Sequence, residues 1–171
     1  MEVSLRAPHE DDIAAHAGFS VSPEIHKMYG GNGPPPAPSM ERSKGWYARL
    51  IAQDHAWCID VDGALAGVIF LHSVSNADRN ARLAMGLFDE RQLGQGIGRL
   101  ALRQALTLAF FELGLHRVDL RVLAYNERAL RCYEAVGFRH EGRLRDSAFV
   151  DGAWHDDLIL AMLASEFQAS K

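Results

Sequence analysis

Apolar residues recur along this chain with two different periods, one typical of helices and one typical of strands. Between residues 116 and 123, Val118, Leu120 and Val122 alternate with charged residues, which indicates a strand with one buried face. Over residues 97–113 the apolar positions are instead three or four apart, which indicates an amphipathic helix. Together the patterns predict strands over 3–6, 55–61, 64–72, 81–88 and 116–123, helices over 11–17, 40–53, 97–113 and 126–136, and two closing strands within 138–163.

Two Asp-Gly pairs, Asp62-Gly63 and Asp151-Gly152, mark hairpin turns between apolar runs. Asp-Gly between such runs is a strong hairpin signal because both residues tolerate a left-handed backbone. The order is then strand, helices, a three-stranded meander, helix, strand, helix and a closing hairpin. It predicts an α/β (α+β) fold in one domain over residues 1–171, with a mixed central sheet of six to seven strands and about four flanking helices.

The segment GGNGPPPAPS, at residues 30–39, cannot form a regular element, because it holds three glycines and four prolines in ten residues. Only about 30 residues precede it, which is too few for an independent domain. We therefore predict a loop over a site, with residues 22–38 helping to shape an acceptor pocket. Ser39 is positioned to cap the next helix.

Composition and charge exclude several classes of function. The net charge of the 171 residues is −4 and no dense basic run occurs, so we expect no nucleic-acid partner. No apolar run approaches the ~20 residues of a membrane span, and the N-terminus lacks the pattern of a signal peptide, so we expect a cytoplasmic protein with no membrane partner. Cys58 and Cys132 are then expected as reduced thiols, and the scattered histidines predict no metal site.

A glycine-rich turn follows the third strand of the meander and precedes the clearest helix. Glycines let a backbone approach a ligand closely, and the unpaired N–H groups of a first helical turn favour an anion. The turn therefore predicts a pyrophosphate site, which we assign to Leu93, Gly94, Gln95, Gly96, Ile97, Gly98 and Arg99.

A dinucleotide fingerprint is a competing interpretation, because residues 96–101 fit G-x-G-x-x-A and Asp119 lies about 20 residues on. Against it, that fingerprint normally follows the first strand, and about 90 residues precede it here. Asp119 also falls within the next strand and not at its end. A P-loop is excluded, since no G-K-[ST] follows the glycines.

The segment NERALRCYEAVGF, at residues 126–138, is the second candidate for chemistry. Asn126 can cap the helix, and Tyr133 lies about two turns further on the same face. A phenol there could donate a proton to a leaving thiolate. Cys132 is a conceivable nucleophile, but neighbouring helical side chains point about 100° apart, so we expect that it does not share a site with Tyr133.

These two segments, about 28 residues apart, resemble the GNAT superfamily of N-acetyltransferases. The closing LRDSAFVDGAWHDDLILAML is similar to the branch of ribosomal-protein-alanine and small-amine acetyltransferases. The resemblance covers roughly residues 1–164 and implies a single GNAT-like acetyltransferase domain with acetyl-CoA as co-substrate. The family signature Q/R-x-x-G-x-G/A falls on residues 93–98, with Leu93 in place of its first residue. A literal match from Arg91 fits the expected helix start less well.

The resemblance also implies roles for individual residues. The strand residues Gly86, Leu87 and Phe88 would bind the pantetheine arm and the thioester, with a backbone N–H near Leu87 or Phe88 stabilising the oxyanion. Asn126 and Ala129 would lie on the pantetheine side. Tyr133 would be the general acid.

The implied reaction is direct attack by a primary amine, either a small molecule or a peptide N-terminus, in a ternary complex. The general base stays open among His26, Glu24, His155 and a water chain. Two other classes of function stay open as well, a non-catalytic acyl-CoA-binding domain and a dinucleotide-dependent oxidoreductase. A homodimer could form through exposed strands of the last hairpin.

Overall fold

The computed structural model describes residues 1–167, which fold around one seven-stranded sheet. The strands are β1 (Val3–Arg6), β2 (His55–Val61), β3 (Ala64–Ser75), β4 (Asn80–Leu87), β5 (Arg117–Leu123), β6 (Arg139–Val150) and β7 (Ala153–Leu163). The α-helices of this part of the chain are α1 (Asp12–Ala17), α2 (Pro23–Met28), α3 (Met40–Ile51), α4 (Ile97–Thr107) and α5 (Glu127–Val136).

The strands lie in the order β1-β2-β3-β4-β5-β7-β6. Neighbouring strands run antiparallel except β4 and β5, which are parallel. The predicted α/β fold with a mixed sheet is thereby confirmed. The last four residues of the predicted domain, 168–171, lie outside the described residues.

Both predicted hairpin turns are present. Asp62 and Gly63 have φ values of 51° and 81°, and Asp151 and Gly152 have φ values of 49° and 81°. Positive φ at both central residues matches the right-handed twist of the flanking strands, which is why an Asp-Gly pair joins them.

Side chains on the two faces of the sheet form two separate hydrophobic cores. Val68 and Ile69, consecutive residues of β3, belong to different cores because successive strand side chains point to opposite faces. The larger core includes α4 and α5, and the smaller one includes Leu50 and Trp46 of α3. Helices therefore cover both faces of the sheet.

The helix boundaries confirm several sequence signals and add one helix. Ser39 caps α3 by accepting a hydrogen bond from the Arg42 N–H at 3.2 Å. The helix α2 was not predicted, although Ser22 caps it and Pro23 opens it. The predicted helix over 97–113 continues beyond α4 as a π-helical turn over Leu108–Glu112. No helix within residues 1–167 is long and apolar enough to cross a membrane.

The two parallel strands separate soon after they begin. Their pairing covers only Asn80, Ala81 and Arg82 on β4, opposite Arg117, Val118 and Asp119 on β5. Beyond Arg82, β4 stays paired with β3 up to Leu87, while β5 stays paired with β7. One edge of β4 is therefore open towards the N-terminal ends of α4 and α5.

Candidate functional site

A cleft of about 430 Å³ lies along the open edge of β4 and is also lined by the first turn of α4, by α5 and by the end of α2. It brings together eleven of the thirteen predicted site residues: Gly86, Leu87, Leu93, Gly94, Gly96, Ile97, Gly98, Arg99, Asn126, Ala129 and Tyr133. Phe88 and Gln95 are not among its lining residues, and both placements have a physical reason.

Phe88 lies just past the end of β4, and its side chain joins an aromatic group. Its ring centroid is 4.9 Å from that of His16, 5.2 Å from Phe19 and 5.6 Å from Trp46. Its N–H donates to the Ala66 carbonyl at 2.9 Å. Because the Phe88 N–H is already bonded within the sheet, it is not available to an oxyanion. The Leu87 N–H is the candidate that stays.

Leu87 presents its backbone to the cleft. In an antiparallel pair, alternate residues bond to the neighbouring strand, so if Phe88 bonds to β3, the N–H and C=O of Leu87 point away from β3. That direction is the open edge of β4. The Leu87 carbonyl accepts a hydrogen bond from the Tyr29 hydroxyl at 3.5 Å.

The glycine turn has the geometry of a ligand-binding loop. Gly94 and Gly96 have φ values of 77° and 85°, which a side chain would strain. Gly96 caps α4 without a side-chain acceptor, and the first turn has no acidic residue. The first amide bonded within the helix is that of Leu100, to the Gly96 carbonyl at 3.1 Å. The N–H groups of residues 97–99 therefore have no intrahelical partner.

Gly98 has a different role, because it lies inside α4 with ordinary helical φ. A Cβ there would lie 3.2 Å from the Met85 side chain and 3.5 Å from the Cys132 sulfur, so this glycine lets β4 and α5 approach the helix.

The observed start of α4 allows a second placement of the family signature, with Arg91 at its first position. Since α4 begins at Ile97, immediately after Gly96, the match from Arg91 to Gly96 is also consistent with the observed helix. Arg91 is exposed and held by Asp89, with nitrogen–oxygen distances between 2.6 and 3.0 Å. Gln95 is likewise turned back, donating to the Arg91 carbonyl at 2.6 Å.

Tyr133 reaches the cleft from α5. Its side chain is 8% exposed and its ring packs near Phe138. Burial is the main cause that raises the pKa of Tyr133 above that of a free phenol, so the hydroxyl keeps its proton at neutral pH. Within residues 1–167 this hydroxyl makes no hydrogen bond, so it is available to a ligand.

Asn126 caps α5, as the sequence predicts, by accepting from the Ala129 N–H at 3.2 Å. Its amide group also donates to the Met28 carbonyl at 3.4 Å. The residue therefore links the start of α5 to the last residue of α2.

Cys132 lines the same cleft as Tyr133, contrary to the expectation from helical geometry. The cleft is wide enough to contact more than one face of α5, which is why neighbouring residues both reach it. Burial raises the pKa of the Cys132 thiol, and Arg99 only partly opposes this. A protonated thiol is a poor nucleophile, so the covalent route gains no support.

The three protein candidates for a general base lie elsewhere. Glu24 forms an ion pair with Arg128 at 2.7 Å, His26 contacts the Asn32 carbonyl at 3.2 Å, and His155 packs against the Tyr125 ring at 4.9 Å. In the part of the chain that the structure describes, none of the three lines the cleft.

Several lining residues were not individually predicted. Ile25, Met28 and Tyr29 come from α2 and its C-terminal end, within the segment predicted to shape a pocket. Gln92 also lines the cleft, and its Oε1 is buried without a hydrogen-bond partner among residues 1–167. The Ser-Pro-Glu sequence at 22–24 was the available signal for α2.

The electrostatics of the cleft favour an anion. Arg99, Arg128 and Arg131 line it, whereas no Asp or Glu is found among its described lining residues. This contrasts with the net charge of −4 for the whole chain. Asp119, the acid required by the dinucleotide interpretation, instead bonds Arg82 at 2.6 Å on the sheet. No group of three His, Cys, Asp or Glu that could hold a metal occurs among residues 1–167.

Comparison with known proteins agrees with this geometry. The chain is 36% identical over 110 residues to YdaF of Bacillus subtilis, whose assignment as a ribosomal N-acetyltransferase is provisional; the match covers 64% of this chain and 60% of YdaF. It is 31% identical over 108 residues to spermidine N(1)-acetyltransferase of Vibrio cholerae, covering 63% of this chain and 62% of that enzyme. The matches thus span about three fifths of the length of these curated relatives.

Among solved structures, RimJ of Mycobacterium smegmatis in complex with CoA-disulfide superposes with a TM-score of 0.83 at 26% identity, covering 96% of this chain and 83% of that one. The family model described as the acetyltransferase (GNAT) domain matches residues 2–139, most of the range over which the sequence resembles that superfamily. The chain therefore belongs to the GNAT acetyltransferase family.

Proposed function

We propose that this chain transfers an acetyl group from acetyl-CoA to a primary amine by direct attack in a ternary complex. One observation carries the proposal: a single cleft contains the unpaired amides of α4, the open edge of β4 and the free hydroxyl of Tyr133. These are respectively an anion site, a site for an extended amide-bearing chain, and a proton donor. The complex of RimJ with CoA-disulfide supports the choice of ligand.

The lining of the cleft fits an acyl-CoA by its chemistry. The amides of residues 97–99 and the Arg99 side chain suit a diphosphate. The open edge of β4 suits the amides of a pantetheine arm, which can bond to a strand as another strand would. Gln92 adds a buried acceptor oxygen that lacks a donor within residues 1–167.

In the proposed reaction, the amine nitrogen bonds to the thioester carbon while the carbon–sulfur bond breaks. The N–H of Leu87 donates to the thioester oxygen as negative charge develops there, an interaction worth about 3 kcal/mol at comparable sites. Tyr133 donates its proton to the departing sulfur, the attacking nitrogen releases a proton to solvent as the amide forms, and solvent returns a proton to the Tyr133 oxygen. The ammonium form of the amine loses its proton to water before attack, since no described acidic or histidine side chain lines the cleft.

The acceptor class follows from chemistry and from the relatives. We propose a small-molecule amine or a peptide N-terminus, since the names of YdaF and the Vibrio cholerae enzyme point to a ribosomal and a polyamine acceptor. A screen of amines that measures thiol release from acetyl-CoA tests this. Turnover above the rate of hydrolysis is expected for at least one amine. Tight acetyl-CoA binding without turnover on any amine would favour a non-catalytic acyl-CoA-binding domain instead.

We also propose that the chain works in the cytoplasm as a homodimer. Both cysteines are free thiols, which is typical of a reducing compartment. In the described sheet, β6 pairs only with β7, and the adjacent Phe149 and Trp154 are 50% and 61% exposed. An open strand edge beside exposed aromatic rings suits pairing with a second copy. Light scattering should give twice the mass of the chain, and a monomer for Trp154→Lys.

A further inference from the structure

Tyr29 enters the cleft although the proposed reaction does not use it. It directly follows α2, and its hydroxyl lies against Gly86 and 3.5 Å from the Leu87 carbonyl. A Cβ on Gly86 would collide with that hydroxyl, so the missing side chain on β4 is what admits the phenol. The tip is enclosed although the residue as a whole is 57% exposed, and burial raises the pKa of Tyr29 to about 12.

Three contacts to residues at and just before the start of α5 hold the segment that carries this phenol. The Tyr125 hydroxyl donates to the Lys27 carbonyl at 2.7 Å, and Asn126 donates to the Met28 carbonyl at 3.4 Å. The pair between Glu24 and Arg128 adds a third link, at 2.7 Å, between α2 and α5. Tyr29 is therefore a fixed wall of the cleft.

The Tyr29 phenol lies beside the Leu87 backbone, where the acyl group is proposed to bind. The N–H and C=O of one strand residue point to the same side, so a thioester oxygen bonded to the Leu87 N–H lies beside the carbonyl that Tyr29 contacts. We infer that Tyr29 sets the acyl-chain length: its phenol ends the space beyond the thioester carbon and restricts the donor to acetyl-CoA. This inference rests on the proposed function, because it assigns the donor specificity of the same site.

The ratio of kcat/KM for butyryl-CoA to that for acetyl-CoA, measured with one accepted amine, tests the inference. The wild-type ratio should be low, because butyryl-CoA has two more methylenes than acetyl-CoA and even one methylene too many in a closed pocket costs roughly 10- to 200-fold. Tyr29→Ala should raise the ratio by at least about 10-fold, and Tyr29→Phe should raise it less, since the ring remains.

Tyr125→Phe is the matched control, because it removes one of the three links to this segment while the Tyr29 phenol, Gly86 and the other two links stay in place. Its ratio should equal that of the wild type. A wild type that uses both donors equally would overturn the inference. So would a Tyr29→Ala variant with an unchanged ratio and a raised KM for the amine, which would place Tyr29 on the acceptor side.

Binding without an amine separates this inference from the proposed function. Titration calorimetry with acetyl-CoA and butyryl-CoA needs no turnover, so it decides the matter even if no amine is acetylated. Tyr29→Ala should gain affinity for butyryl-CoA relative to acetyl-CoA, and an unaltered preference would refute the inference. If thermal unfolding shows that Tyr29→Ala is misfolded, Tyr29→Leu replaces it, because leucine keeps an apolar side chain but removes the phenol.

Discussion

Gly96 offers a test in which a negative charge should favour the start of the helix but oppose ligand binding. Any side chain is strained at this N-cap position, but the charge of an aspartate would interact favourably with the N-terminal end of the α4 dipole. The same carboxylate would stand where a diphosphate is proposed to bind. Asparagine has the same shape, also caps helices, and bears the same strain at a φ of 85°, so it isolates the effect of charge.

The expected size of that effect follows from Coulomb's law. At an effective dielectric constant of ~20, unit charges about 6 Å apart repel by roughly 3 kcal/mol, which is about 100-fold in affinity. Titration calorimetry should therefore show acetyl-CoA binding at least about 100-fold weaker to Gly96→Asp than to Gly96→Asn. Thermal unfolding should find the aspartate variant at least as stable. Equal affinities of the two variants would mean that no anion binds at the start of α4.

Three further predictions concern the acid, a helix cap and a half-buried histidine. Tyr133→Phe should lower kcat by about 100-fold or more with acetyl-CoA affinity nearly intact, and unchanged turnover would remove its role as the acid. Asn126→Ala should lower the free energy of unfolding by about 1 kcal/mol in urea titrations and raise the KM for acetyl-CoA, and an unchanged KM would leave the residue purely structural. His16 packs on Trp46, and burial lowers its pKa to about 4 in the folded chain. In the unfolded chain the pKa of this histidine is about 6.5, so between these two pH values the unfolded chain binds more protons than the folded chain. Stability should therefore fall as the pH drops through this window. His16→Gln should flatten the dependence of melting temperature on pH there, and an equal slope in both proteins would contradict the burial of a neutral ring.

Features set by neighbouring residues could be predicted from the sequence. Asp62-Gly63 and Asp151-Gly152 encode their turns through backbone conformations that few other residues accept. Ser39 and Asn126 encode helix starts through side-chain oxygens that reach amides three residues on. The glycine turn could be predicted for the same reason, because its glycines and the helix start that follows lie within a few residues of one another.

Features that depend on distant parts of the chain could not be predicted. Tyr29 and Leu87 are 58 positions apart, and only the path of α2 over the gap brings them together. The Phe88 side chain lies on the face of the sheet opposite to that of Leu87, and an aromatic group from distant helices receives its ring there. Gly98 looks like part of the glycine loop, but it serves packing against Met85 and Cys132 from other elements.

A crystal structure with coenzyme A bound would be the most direct test of the proposed site. The diphosphate should lie on the amides of residues 97–99, and the sulfur should lie within hydrogen-bonding distance of the Tyr133 hydroxyl. A coenzyme bound outside the gap between β4 and β5, or one whose sulfur end points away from Tyr133, would contradict it.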